Sequence, residues 1–241
     1  HKSYEAAKRQ IAGYCRSILE TEISSPDGVN RDPEKVAAVL KSYSRHTSTS
    51  ATIMTIVKDV SEYFSPLSRN TAADYIAALE KIYVVEELKA WSPRLRSKTA
   101  IATSPTRHFA DPAIAAFFLD AGASDLMNDL ETFGLLFESL VIRDLRIYAE
   151  SLGGKVYHYR DHSGLEADAI VHLPGGTWGA FEVKLGEAWV EKAAANLLRL
   201  KERIDTEKTK APSFLAVICA SGYAYRRKDG VYVLPIDCLR N

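Results

Sequence analysis

The chain is short of the features that would take it out of the ordinary globular class. It has three cysteines in 241 residues, Cys15, Cys219 and Cys238, odd in number and far apart. That spacing excludes a disulfide framework and a zinc finger or ribbon, whose thiolates come in close pairs. Cys219 stands in an apolar stretch and is expected in the core. No apolar run approaches the roughly 20 residues that span a bilayer, and no secretory leader is visible, so a cytoplasmic protein without a membrane role is expected. Repeats and low-complexity tracts are absent. Lys plus Arg and Asp plus Glu both number 31. No global field therefore draws nucleic acid, and any such contact must come from local patches. There is no G-x-x-x-x-G-K-[ST] loop: Gly153-Gly154-Lys155 is followed by Val156 and lacks the upstream glycine, so this chain should not bind ATP through a phosphate loop.

What the chain does have is a set of carboxylates in apolar surroundings. Residues 132–151, TFGLLFESLVIRDLRIYAES, read as a helix closed by Gly153-Gly154. Leu135, Val141, Ile142 and Leu145 form its stripe, and Glu138 falls inside that stripe. A carboxylate there costs roughly 3–5 kcal/mol if left unpaired. It therefore needs a cation, either a structural ion-pair partner or a metal. Three strands follow: KVYHYR (155–160), LEADAIVHL (165–173) and TWGAFEVKL (177–185), joined by turns at Asp161–Gly164 and Pro174-Gly175-Gly176. Alternation puts Glu166 with Asp168 on one face and Glu182 with Lys184 on one face. The opposite rows are Leu165, Ala167, Ala169 and Val171, and Phe181, Val183 and Leu185. A helix over 187–204 is expected to cover those rows with Trp189, Ala193, Leu197, Leu200 and Ile204, and a last strand is SFLAVICA (213–220).

This αβββαβ order, with Glu138 on the helix, Asp168 on the second strand and Glu182-x-Lys184 on the third, resembles the PD-(D/E)XK nuclease superfamily. The resemblance implies that Asp168 and Glu182 hold Mg²⁺ or Mn²⁺ through oxygen. It also implies that Glu138 is a further or water-bridged ligand, and that Lys184 acts on the attacking water or on transition-state charge. Ala167 stands where that motif has proline. Glu166 competes with Asp168 for the ligand role. Asp168 is favoured because it lies deeper in the strand.

The first half reads as helices. These are residues 2–23; a helix opened by Asp32-Pro33 with the stripe Val36, Val39, Leu40 and Tyr43; a helix with Ile53, Ile56, Val57, Val60 and Phe64, ended by Ser65-Pro66; and a helix capped by Ser68, with Ala72, Tyr75, Ile76, Leu79 and Ile82 facing in. A strand, YVVEELKAW (83–91), follows. The order resembles a winged helix-turn-helix. Arg69, Asn70, Asp74 and Lys81 are the outward residues of its second helix. Arg94, Arg96 and Lys98 would form a basic wing, which is a solvated loop, a DNA contact or a docking segment. DNA contacts are thus expected from Arg94, Arg96, Lys98 and Arg69.

Longer strings carry a closer likeness. RHTSTSATIMTIVKDV, SRNTAADYIAALEKIYVVEELKAWSPRLRSK, HFADPAIAAFFL, ETFGLLFESLVIRDL, YHYRDHSGLEADAIV and WGAFEVKLG together resemble the C-terminal domain of bacterial and archaeal AAA-type ATP-binding proteins. Ala167 stands where that family usually has valine. The resemblance implies an ATPase domain ahead of His1 in the full-length protein, as partner and as the sole source of ATP binding. The expected fold class is α+β or α/β, in two domains. Residues 1–122 would be helical and winged-helix-like, and residues 123–241 restriction-endonuclease-like. The expected function is a Mg²⁺-dependent nuclease acting on DNA. The alternative is a catalytically inactive module that binds DNA or a partner and regulates the ATPase. Among lesser candidates, Asp111-Pro112 reads as a helix cap behind His108. His158 and His162 read as turn or surface residues, or as contacts to phosphate or metal. Arg160 and Asp161 would fix the hairpin. The terminal YAYRRKDGVYVLPI reads as a hairpin with Arg226 and Arg227 in solvent, in preference to lining a nucleic-acid path.

Overall fold

The structure, a computed structural model, describes residues 3–93, 104–207 and 209–239. It is a mixed α and β chain in two compact units: His1–Glu87 with Arg107–Leu136, and Leu88–Thr106 with Phe137–Asn241. The sequence pattern places one boundary between residues 122 and 123. In the structure a stretch after the first strand belongs to the second unit, where the backbone at Ala90 bridges His158 in parallel. The second division falls inside a continuous helix.

The first unit is built from capped amphipathic helices. They are α1 (Tyr4–Glu20), α2 (Pro33–Arg45), α3 (Ile53–Tyr63), α4 (Arg69–Lys81), α5 (Pro112–Phe118) and α6 (Ala123–Asn128), with a two-stranded sheet of β1 (Val85–Leu88) and β2 (Thr106–Phe109). The Asp32, Ser68 and Asp111 side chains each accept a hydrogen bond from a first-turn N–H, and proline takes the first position of α2 and α5. Val36, Val39, Leu40 and Tyr43 are wholly buried, as their spacing predicts. Phe64 is not: it is the residue after α3 and is 53% exposed. Asp74 faces outward but is not a free surface residue. It pairs with Arg31, a buried guanidinium that also binds the Asp27 carboxylate and the Ile23 carbonyl. Arg107, also buried, joins Glu87 to the Ala51 carbonyl.

The second unit is a six-stranded sheet between two helices. Its strands are β3 (Lys155–Arg160), β4 (Glu166–His172), β5 (Trp178–Lys184), β6 (Phe214–Cys219), β7 (Tyr225–Arg226) and β8 (Tyr232–Pro235), in the order β3-β4-β5-β6-β8-β7. β3, β4 and β5 are an antiparallel meander. β6 runs parallel to β5, which requires a crossover, and α8 (Val190–Arg203) supplies it. The long helix α7 (Leu130–Ser151) stops where Gly153 takes a left-handed φ of 69° and where a Cβ on Gly154 would lie 2.4 Å from Leu173.

The two faces are covered otherwise than alternation suggests. Phe181, Val183, Ala216 and Ile218 pack against Phe137, Val141, Ile142 and Leu145 of α7. α8 lies on the other face, where Ala193, Leu197 and Leu200 meet Trp178, Ala180, Leu215 and Val217. Glu182 and Lys184 therefore continue the row beneath α8. Leu165 and Ala167 join Ile170 on this face because the β3–β4 register slips between Tyr157↔Ile170 and Tyr159↔Ala167, a bulge that reverses the alternation. Trp189, expected inside, is 57% exposed with Lys192 over its ring. The terminal hairpin forms as β7 and β8, but Arg227 is not a solvent residue. It clamps Glu191 and Asp229. No helix among the described residues is long and apolar enough to cross a membrane.

This assignment of faces predicts opposite outcomes for two residues of the crossover. Leu197→Ala should cost about 2–5 kcal/mol, as for a fully buried leucine. Trp189→Ala should stay within about 0.5 kcal/mol, as for a surface position. Urea denaturation of both variants checks the pair.

Candidate functional site

The site forms where β4 and β5 part. Their ladder ends toward the site at Ala169↔Phe181. Continued in register, Ala167 would face Val183. Instead the Asp168 carboxylate Oδ2 accepts the Val183 N–H at 2.7 Å. A side chain has replaced a backbone carbonyl, and the bulge opposite β3 leaves β4 free to make that exchange.

Lys184 Nζ lies 3.1 Å from Asp168 Oδ2 and 2.7 Å from Glu182 Oε2. Two carboxylates from neighbouring strands thus converge on one ammonium. Glu182 is only 5% exposed. Its second oxygen accepts from Asn196 Nδ2 at 2.6 Å, and the same amide reaches the Glu166 carbonyl at 2.6 Å. Asn196 ties α8 to both strands and fixes the plane of the Glu182 carboxyl. The motif-based reading of the sequence does not include it. A signal is nonetheless present, since Asn196 interrupts the inner stripe of Ala193, Leu197 and Leu200 at helical spacing.

The electrostatics follow from burial. Glu182 is pushed up to about 7, first by loss of solvent and then by the Asp168 charge, with Lys184 and Asn196 opposing. Glu138, on α7, is raised well above the ordinary carboxylate value. Burial is the main cause, then the Asp168 charge; Lys184 pulls the other way. Lys184 is raised by Asp168 and Glu182 against the opposing pull of its own burial. Three carboxyls and one ammonium therefore share a partly desolvated space, in which Glu182 is the buried member. At neutral pH the group holds extra protons in place of full charge.

The structure brings Asp168, Glu182 and Lys184 into direct contact and places Glu138 within their field. Glu166, the competitor of Asp168, is drawn off by Arg160 at 3.2 Å. Asp161 holds the hairpin. It accepts from the Ser163 hydroxyl, the Ser163 and Leu165 N–H groups and Arg203, and these outweigh its burial and bring it to about 2. His162 is exposed in that turn, whereas His158 is buried in β3 and is lowered chiefly by burial. Among the nucleic-acid candidates, Arg69 is exposed at the start of α4. Arg94, Arg96 and Lys98 lie outside the described residues.

A family model described as a domain of unknown function, DUF8612, matches residues 1–125. The chain belongs to that family. A second model, also a domain of unknown function, DUF4143, matches residues 133–239, which hold all four site residues. No curated protein matches the chain. A solved half-complex of a tetradecameric assembly of Thermococcus gammatolerans McrB AAA+ hexamers with bound McrC is similar at 10% identity. The likeness covers 97% of this chain and 72% of that one, with a TM-score of 0.31. A likeness of that size carries no argument about fold or function.

The raised Glu182 sets a pH dependence. Its proton is bound more tightly in the folded chain than in the unfolded one. The stability it contributes is therefore complete below the ordinary value of 4.5 and is lost as pH rises through about 7. In EDTA, Glu182→Gln should flatten that fall and make the chain more stable than the parent at pH 8, by on the order of 1–3 kcal/mol. Urea denaturation across this range checks it; parallel pH curves for parent and variant would refute the assignment.

Proposed function

We propose that the second unit is a PD-(D/E)XK-type, metal-dependent phosphodiesterase module acting on DNA, carried by an AAA-type ATP-binding protein. The observation that supports this most is the convergence of Asp168 and Glu182 on Lys184 at the fork of β4 and β5. The link to an ATPase rests on the sequence likeness to the C-terminal domains of such proteins.

The donor set suits a hard divalent cation. Two carboxylates supply oxygen ligands, and Mg²⁺ takes one or two carboxylates and completes its shell with water and substrate phosphate. No group of three or more His, Cys, Asp or Glu among the described residues is arranged to hold a metal alone. Asp168 and Glu182 would then be the two protein ligands, with Glu138 as a proton-holding or water-bridged neighbour. When bound, the metal would polarise the phosphoryl group and lower the pKa of water. Asp168 is held by the Val183 N–H and Glu182 by Asn196, so both carboxyls are oriented beforehand, and Lys184 would give way to a cation. Lys184 supplies positive charge where the attacked phosphate gains negative charge. Glu138, whose loss of solvent favours the neutral acid, could hold or return a proton. In the first unit, α3 and α4 would serve as the helices of a winged helix, with Arg69 meeting phosphates; Arg94, Arg96 and Lys98 are further candidates from the sequence alone.

A second reading is a catalytically silent nuclease fold that binds DNA or a partner and regulates the ATPase. The observation in its favour is that Lys184 already satisfies both carboxylates. Cleavage separates the two. With Mg²⁺ or Mn²⁺, Asp168→Ala and Lys184→Ala should each lower DNA cleavage by about 10²-fold or more, and Glu138→Gln should lower it partly. Calorimetric metal titration should show that Asp168→Ala also abolishes metal binding and Lys184→Ala keeps it. No cleavage of single- or double-stranded DNA by the full-length protein with ATP and either metal would leave the silent reading.

A further inference from the structure

Each acid at the fork of β4 and β5 has one oxygen engaged by the fold itself. Asp168 Oδ2 accepts the Val183 N–H at 2.7 Å, and its Oδ1 takes no hydrogen bond among the described residues. Glu182 Oε1 accepts from Asn196 Nδ2 at 2.6 Å, and among the described residues its Oε2 holds only Lys184, at 2.7 Å. Lys184 is part-exposed on a flexible stem, so Oε2 can pass from the ammonium to another cation. Oε1 is not released in that way.

The reason lies in the other bonds of Asn196. Its Nδ2 also donates to the Glu166 carbonyl at 2.6 Å, and Arg199 Nη2 donates to its Oδ1 at 2.8 Å. A backbone carbonyl only accepts and a guanidinium only donates, so the amide cannot turn over. Its NH2 must face Glu166 and Glu182, and its oxygen must face Arg199. The two acceptors belong to β4 and β5, whose ladder has already ended, so the amide spans the fork. Turning both Glu182 oxygens toward one ion would break the bond from Nδ2 and leave that donor short of a partner beside a buried residue.

Hard cations differ in what they ask of a carboxylate. Mg²⁺ demands a near-octahedral shell, takes one or two carboxylates and keeps several waters. Ca²⁺ takes about six to eight oxygens and accepts both oxygens of one carboxylate. We propose that Asn196 is a specificity-determining residue for the metal. By occupying Glu182 Oε1 it limits Glu182 to a single ligand oxygen, and so favours Mg²⁺ or Mn²⁺ over Ca²⁺. The Val183 N–H sets the same limit on Asp168, but a backbone group is not removed by substitution. This inference rests on the metal-dependent reading above. It goes further by assigning the choice of ion to a residue of α8, outside the acid and lysine motif.

The test is calorimetric titration of the 241-residue chain with Mn²⁺ and, separately, with Ca²⁺, in the absence of DNA. Asn196→Ala should weaken Mn²⁺ binding about 10-fold or more. Ca²⁺ binding should be kept or strengthened, so the preference for Mn²⁺ falls by at least the same factor. Asn196→Gln, which keeps an amide on a longer stem, should hold the preference nearer the parent's. Circular dichroism checks that the variants fold, and Asn196→Ser, small and polar, is read in place of the alanine chain if that chain does not. Equal weakening of both ions gives Asn196 a structural role and overturns the proposal, as does a preference unchanged by its loss. Either result in a parent that binds both ions leaves the metal-dependent reading standing. A parent that binds neither ion removes that reading and this inference together.

Discussion

The organisation of the second unit turns on one exchange: the Val183 N–H is taken by the Asp168 carboxylate and not by a strand carbonyl. A buried backbone donor must have a partner. By supplying one from a side chain, the chain ends the β4–β5 ladder and anchors a charge inside the sheet. Lys184 and Glu182 then become necessary neighbours. Asp168 requires a cation nearby, and the cation, half-buried here, is better held by two carboxylates than by one. Asn196 completes the arrangement by satisfying the oxygen of Glu182 that Lys184 leaves open. A cluster assembled this way has more acid groups than its single ammonium can neutralise, which is why burial raises Glu138 and Glu182.

The first unit meets the same problem with guanidinium groups. Arg31 spreads its donors over Asp27, Asp74 and the Ile23 carbonyl, and Arg107 over Glu87 and the Ala51 carbonyl. A planar fork can satisfy several acceptors at once, so these buried charges tie loops to helices and leave few open lone pairs. The second unit uses a lysine at its cluster instead. An ammonium is a compact charge on a flexible stem, better suited than a fork to a place where the local charge is to be redistributed.

Much of the architecture is legible in the sequence because it is local. Asp32-Pro33, Ser68 and Asp111-Pro112 cap helices through atoms two or three residues away, and Val36, Val39, Leu40 and Tyr43 need only helical spacing to share a face. The three strands and their turns are readable for the same reason. The carboxylates of the site stand out because an acid within an apolar pattern is costly wherever it lies. The covering of the faces is not legible. The bulge in β4 reverses the alternation at Ala167, and no residue type announces it. Trp189 fits the helical stripe by spacing but stands outside, because regular α-helix begins only at Val190. Asp74 looks like a surface acid, and its role appears only when Arg31 arrives from 43 residues away.

Local chemistry along the chain is enough to specify the elements, their caps, the apolar stripes and the residues that must find compensation: Glu138, Asp168, Glu182 and Lys184. These follow from propensity, periodicity and the cost of burying charge, all of which act within a few residues. The folded arrangement alone settles which helix covers which face, that Asp168 and not Glu166 meets the lysine, and that Asn196 steadies Glu182. Each depends on strand register or on a crossover connection, where a one-residue shift changes the partner of every side chain beyond it.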